Sequence, residues 1–141
     1  MYREGDRNNM FNQPKPANMT NFISWVDIPA TRIERAVQFY GSVFNVTFEV
    51  LDCGTEKMAC FPGGEGAISS GPGLEPSPNG VLVSFLVKEG LEKALEKVTA
   101  NGGKIDRPKT KIEVEGRGYF AIVFDSEGNR IGLYEEAAPG R

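Results

Sequence analysis

Apolar residues dominate from Phe22 to Ile28, and Pro29 ends the run, which predicts a strand over 22–28. Thr31 and Glu34 then stand at capping-box spacing. Ile33, Ala36, Val37, Tyr40 and Phe44 recur with helical period, while Arg32, Glu34, Arg35 and Gln38 fall on the opposite side. This pattern predicts an amphipathic helix. In Asn45–Leu51, Val46, Phe48 and Val50 alternate with Thr47 and Glu49, as a strand requires. Asp52-Cys53-Gly54 is a turn, Lys57–Phe61 a further strand, Pro62-Gly63-Gly64 a break, and Ala67–Ser69 a short fourth strand. A Gly- and Pro-rich linker occupies Gly71–Gly80.

After the linker the same order returns. Val81–Val87 reads as a strand, and Leu91, Ala94, Leu95 and Val98 form the stripe of a second helix that Gly102 stops. A strand follows from Lys104, bent at Pro108, then another over Tyr119–Phe124. Asp125–Asn129 connects it to a closing strand, Ile131–Glu135. Strand, helix and three strands thus occur twice, with a period of about sixty residues, and such repetition is an architectural signal in itself. The fold class expected is α+β, two βαβββ repeats forming a curved mixed sheet around one cup. One domain spans 21–136, with repeats 21–70 and 80–136, between a flexible arm at 1–20 and a tail at 137–141.

Alternation then assigns faces. Phe22, Val26 and Ile28 belong under the first helix, which leaves Ile23, Trp25 and Asp27 towards the cup. Val81, Val83, Phe85 and Val87 belong under the second helix, with Leu82, Ser84 and Leu86 opposite. In the last strand Ile131 and Leu133 are core, whereas Gly132 and Tyr134 face the cup.

Composition narrows the function. A net charge of −3 argues against nucleic acid and against anionic membrane as partners. No apolar stretch approaches the roughly 20 residues of a spanning helix. The first 21 residues are polar and lack the apolar segment of a secretory signal. With only Cys53 and Cys60, both expected as unpaired thiols, a cytoplasmic location is expected. The chain has no histidine, which removes the commonest metal ligand and excludes Ser-His-Asp and Cys-His mechanisms.

The stretch Ile28-Pro29-Ala30-Thr31-Arg32-Ile33-Glu34-Arg35-Ala36-Val37-Gln38-Phe39-Tyr40 resembles the first strand–helix unit of the vicinal-oxygen-chelate (glyoxalase/bleomycin-resistance/dioxygenase) superfamily. Phe124-Asp125-Ser126-Glu127-Gly128-Asn129-Arg130-Ile131-Gly132-Leu133 resembles its closing hairpin. Met58-Ala59-Cys60-Phe61-Pro62-Gly63-Gly64, followed by Gly71-Pro72-Gly73, Pro76 and Gly80, is similar to a subgroup related to lactoylglutathione lyase. The resemblance implies that metal-using members hold one divalent ion with four side chains, from the first and last strands of each repeat. The corresponding positions here are Trp25, Ser69, Leu82 and Gly132, and a shift of two residues brings in Asp27, Ser84 and Tyr134. Either set offers at most one carboxylate, too few for a tight site. No metal ligands and no cofactor are therefore expected.

Trp25 is either a large apolar filler or a stacking platform for a flat ligand. Asp27, in an apolar cup, would have a raised pKa and serve as a catalytic base; at a rim it would cap local backbone groups. Tyr134 either donates a hydrogen bond into the cup or packs there. Cys60, with no histidine to activate it, reads as a buried structural thiol. Glu135 and Glu136 read as solvated. The ligand-binding set expected is Ile23, Trp25, Asp27, Leu82, Ser84, Leu86 and Tyr134, around a small, partly apolar molecule. Three functions compete. They are a metal-independent binding pocket, a lyase or isomerase related to lactoylglutathione lyase with an atypical metal site or Asp27 as base, and a non-catalytic accessory module. The resemblance further implies a homodimer, since open sheet edges invite a second subunit.

Overall fold

The structure, a computed structural model, describes residues 22–138. The arm at 1–20 and the last three residues of the tail lie outside them. The elements run β1 (Val26–Pro29), α1 (Ile33–Phe44), β2 (Val50–Asp52), β3 (Lys57–Cys60), β4 (Gly66–Ser70), β5 (Ser84–Leu86), α2 (Leu91–Ala100), β6 (Lys104–Lys111), β7 (Tyr119–Phe124) and β8 (Arg130–Glu135). The two βαβββ repeats are thus present. Each builds a four-stranded mixed sheet, ordered β1-β4-β3-β2 in the first and β5-β8-β7-β6 in the second. The crossover strands β1 and β5 pair in parallel with β4 and β8, and the other neighbours pair antiparallel.

One core serves both repeats. Ile28, Ala59 and Ile68 of the first sheet pack with Ile33, Ala36, Phe39, Tyr40 and Val43 of α1. Leu91, Ala94 and Val98 of α2 join them, with Ala121, Val123, Ile131 and Leu133 of the second sheet. Strand alternation assigned Ile28, Ile131 and Leu133 to this core correctly, because a side-chain period of two leaves only one face for the helix.

Several local expectations change. β1 begins at Val26 rather than Phe22, and β5 at Ser84 rather than Val81; Phe22 and Val81 are almost fully exposed. β2 is confined to Val50–Asp52 rather than beginning at Asn45, and Asn45 and Val46 end the helix instead. Asn45 takes the left-handed conformation (φ 57°), and Val46 N–H bonds back to the Gly41 carbonyl, a C-terminal stop of the αL type. The bend expected at Pro108 is present: the β6–β7 register shifts between Arg107 and Thr110.

The capping box does not form, and the N-cap of α1 is Arg32, without a side-chain cap. Glu127, from the β7–β8 hairpin, supplies the cap instead. Its Oε1 accepts the N–H groups of Thr31 and Arg32, each at 2.9 Å, and its Oε2 accepts Arg35 Nε at 2.6 Å. A carboxylate at a helix N-terminus satisfies orphan donors and complements the dipole. Glu135 repeats the device in the second module: it is half-buried rather than solvated, and its Oε1 accepts Leu91 N–H at 2.8 Å.

Candidate functional site

Each sheet has one face under the helices and one open face, and the open faces carry the residues singled out for function. On the first sheet the pairing fixes two rungs. Asp27, Ala67 and Cys60 stand side by side in one; Pro29, Ser69, Met58 and Leu51 in the next. Trp25 lies two residues before Asp27 and shares its face. Its Nε1 donates to Asp27 Oδ1 at 3.1 Å, and the fully buried Ser69 donates its Oγ proton to the same oxygen at 2.8 Å. Two donors therefore hold the carboxylate by one oxygen, while no described residue hydrogen-bonds to Oδ2. Asp27 is exposed, so the carboxylate stands on an open surface rather than in an enclosed apolar cup.

The second sheet repeats the plan. Ser84, Gly132 and Ile122 form one rung; Leu86, Tyr134 and Phe120 form the next. Gly132 permits the close approach of β5, because a Cβ there would strike Ser84 Oγ. The Tyr134 hydroxyl accepts Gly118 N–H at 3.4 Å, and the Arg117 guanidinium lies over its ring, 4.4 Å from the centroid. Arg107 covers the Phe120 ring at 5.3 Å. These cation–π pairs were not read from the sequence, since nothing local joins Arg117 to Tyr134 or Arg107 to Phe120.

The structure thus brings Trp25 and Asp27 together and adds Ser69 to them. Ser84, Leu86 and Tyr134 share the other sheet's open face. Ile23 and Leu82 lie just outside β1 and β5. The apolar members remain open to solvent: Ile23 is 65% exposed, Trp25 and Leu82 42%, and Leu86 45%. Cys60, expected as a buried thiol, is instead exposed, as is Cys53, and both are free. Its strand rung places it outward beside Ala67, where alternation rather than hydrophobicity decides.

The donor set does not fit the metal that the fold implies. Of the four corresponding positions, Leu82 and Gly132 carry no side-chain donor, Trp25 Nε1 is a proton donor only, and Ser69 gives its proton to Asp27. The register shifted by two residues adds Asp27, Ser84 and a Tyr134 whose hydroxyl is engaged. Among the described residues no group of three or more His, Cys, Asp or Glu side chains is placed to share an ion. No helix among them is long and apolar enough to cross a membrane.

A cavity of about 940 Å³ lies elsewhere, at the seam between the repeats on the helix-covered side. Val26, Phe44, Phe48, Phe61 and Phe85 line it, and Ser84 and Leu86 border it from the edge of β5. Trp25, Asp27 and Tyr134 do not reach it.

Comparison with known proteins agrees with this architecture. A relative in Didymella fabae, described as a glyoxylase-like domain-containing protein, is 36% identical over 91 residues, 58% of this chain and 69% of that protein. A glyoxalase/bleomycin resistance protein from Albidiferax ferrireducens has a similar structure (TM-score 0.61, 17% identity), covering 82% of this chain and 100% of that one. The fosfomycin resistance protein of Listeria monocytogenes is similar to the same degree (TM-score 0.61, 19% identity), over 84% of this chain and 96% of that one. At these identities the two structures establish the fold alone. The model of the glyoxalase/bleomycin resistance protein/dioxygenase superfamily matches residues 22–133, and this chain belongs to that family.

Proposed function

We propose that this protein binds a small, partly apolar molecule bearing a cationic group on the Trp25–Asp27 face, without a metal ion and without converting it. One observation carries the reading: Asp27 is anchored by Trp25 and Ser69 through Oδ1, while Oδ2 is left to a ligand beside a half-exposed indole. A carboxylate next to an aromatic face recognises a cation by charge and by the ring quadrupole. The acidic balance of the chain favours the same ligand sign. Sequestration of a drug-like molecule is the corresponding activity.

A shallow face holds a ligand weakly, and a second copy of the chain supplies the missing wall. The first open face presents Asp27 with Trp25 and Leu51; the second presents Arg107 and Arg117 with Leu82 and Leu86. Both expose apolar side chains, which supports a homodimer that apposes them through those side chains and leaves Asp27 to the ligand.

The test is a titration of the full-length protein with benzyltrimethylammonium, read by the fluorescence of Trp25, the sole tryptophan. The expected result is saturable quenching, at least tenfold weaker in Asp27→Asn, with the ligand recovered unchanged. Absence of quenching contradicts the reading. Isomerisation of the methylglyoxal–glutathione hemithioacetal to lactoylglutathione that disappears in Asp27→Asn, with the fold intact, would put an enzyme with Asp27 as base in its place.

A further inference from the structure

The seam cavity is a separate site. We propose that it takes an aromatic anion, its rings among the phenylalanines and its acidic group at Lys88. The proposal is independent of the Trp25–Asp27 reading, since the two sites share no residue among those that carry either argument.

The cavity lies within the usual size of small-molecule sites, about 300–1,000 Å³, and it is far larger than the gaps a packed interior leaves. Its walls are aromatic and set at angles that leave ring edges and faces available. Phe61 meets Phe85 edge-on, at 5.7 Å and 90°, while Phe44 and Phe85 are tilted at 44° with centroids 5.1 Å apart. A planar ring inserted among such walls continues the same edge-to-face packing. Tyr40, buried beneath, stacks on Phe44 at 5.9 Å and abuts Phe85 at 5.6 Å, a floor to this aromatic group.

Lys88 is the one cation among the described residues lining the cavity, and it is the group that would meet an acidic ligand. Glu89 is already engaged, its Oε2 by Asn45 Nδ2 at 3.3 Å and its Oε1 by Lys97 Nζ at 3.5 Å. Glu65 also borders the cavity, with its carboxylate against Gly63 on the β3–β4 turn, on a different element from Lys88. Lys88 also borders the cavity and is exposed, and no described residue pairs with its ammonium. It stands three residues before α2, on the same wall as Gly90 and Ala94; Glu135 already caps the N-terminus of that helix, so Lys88 is the group that meets the anion.

The experiment uses full-length protein and two fluorescent probes of similar shape, 8-anilinonaphthalene-1-sulfonate and the neutral N-phenyl-1-naphthylamine. Both are expected to bind one per chain. Lys88→Glu, at an exposed position, is expected to weaken the sulfonate about tenfold and leave the neutral probe unchanged. Val46→Trp, which fills the cavity from its wall, is expected to weaken both about tenfold. Trp25→Phe is expected to alter neither, with the probes excited directly. No binding of either probe, or equal affinities in wild type and Lys88→Glu, overturns the proposal. A tenfold loss in Trp25→Phe also overturns it, by placing the probes on the open face. If Val46→Trp does not fold, Lys88→Glu decides alone.

Discussion

The hydroxyl of Tyr40 donates to Asp125 Oδ2 at 2.6 Å, and both residues are buried. This bond joins α1 of the first repeat to the β7–β8 hairpin of the second. Asp125 also accepts the N–H groups of Glu127 and Asn129 on Oδ1, each at 2.9 Å, so the same carboxylate shapes the hairpin that caps α1. Burial, reinforced by the charge of Asp125, holds the Tyr40 phenol protonated well above the ordinary tyrosine range.

Removing the Tyr40 hydroxyl removes a hydrogen bond to a buried charge. Tyr40→Phe is expected to lose about 2 kcal/mol of stability, because Asp125 keeps its hairpin donors. Asp125→Ala is expected to lose more, about 3–5 kcal/mol, since it strips four donors at once, the side-chain amide of Asn129 being the fourth. Urea unfolding of the three proteins, compared by midpoint, checks the order.

Glu127 predicts an acid dependence. Burial alone would raise its pKa, but the Arg35 hydrogen bond and the N–H groups of Arg32 and Thr31 outweigh it and hold the carboxyl below its usual value. A carboxyl depressed in the folded state contributes stability that is complete above its unfolded pKa, about 4.3, and lost as pH falls through the folded value. Wild type should therefore lose stability below about pH 4.3 more steeply than Glu127→Gln. At pH 7 the variant is expected to be less stable by about 2 kcal/mol. Thermal unfolding between pH 7 and pH 3 measures both.

Ser69 tests the anchoring of Asp27. Ser69→Ala removes one of the two donors on Oδ1, and the side chain is fully buried, so a cost of about 1 kcal/mol is expected. Ligand affinity should fall several-fold, less than for Asp27→Asn, because the Trp25 hydrogen bond remains.

The proposed pairing of open faces predicts a dimer that charge disrupts. Leu86→Asp places a carboxylate on an exposed position of β5 and should leave the monomer folded. Light scattering is expected to give twice the chain mass for wild type and a single chain for the variant. A wild-type monomer contradicts the pairing.

The helices and strand faces were legible because each rests on a local period. Ile33, Ala36 and Tyr40 on α1, and Ile131 and Leu133 on β8, declare their side without reference to the rest of the chain. Long-range partnerships were not legible. Glu127 caps a helix from a hairpin 95 residues away, displacing a capping box that the sequence offered at Thr31 and Glu34. Ser69 reaches Asp27 only through the parallel register of β1 and β4. Phe44, Phe48 and Phe85 read as core, which they partly are; that they also wall a cavity follows from how the two repeats meet. The open-face residues Trp25, Asp27, Ser84 and Tyr134 were found by alternation alone, whereas their exposure depends on what covers the sheet.

The most direct test of the central claim, a metal-independent site on the Trp25–Asp27 face, is calorimetry on chelator-treated, tag-free protein titrated with zinc, nickel, manganese and ferrous iron. Binding no tighter than about millimolar, roughly −4 kcal/mol, is expected for every ion. Micromolar binding of any of them at one site per chain, lost in Asp27→Ala, would contradict it.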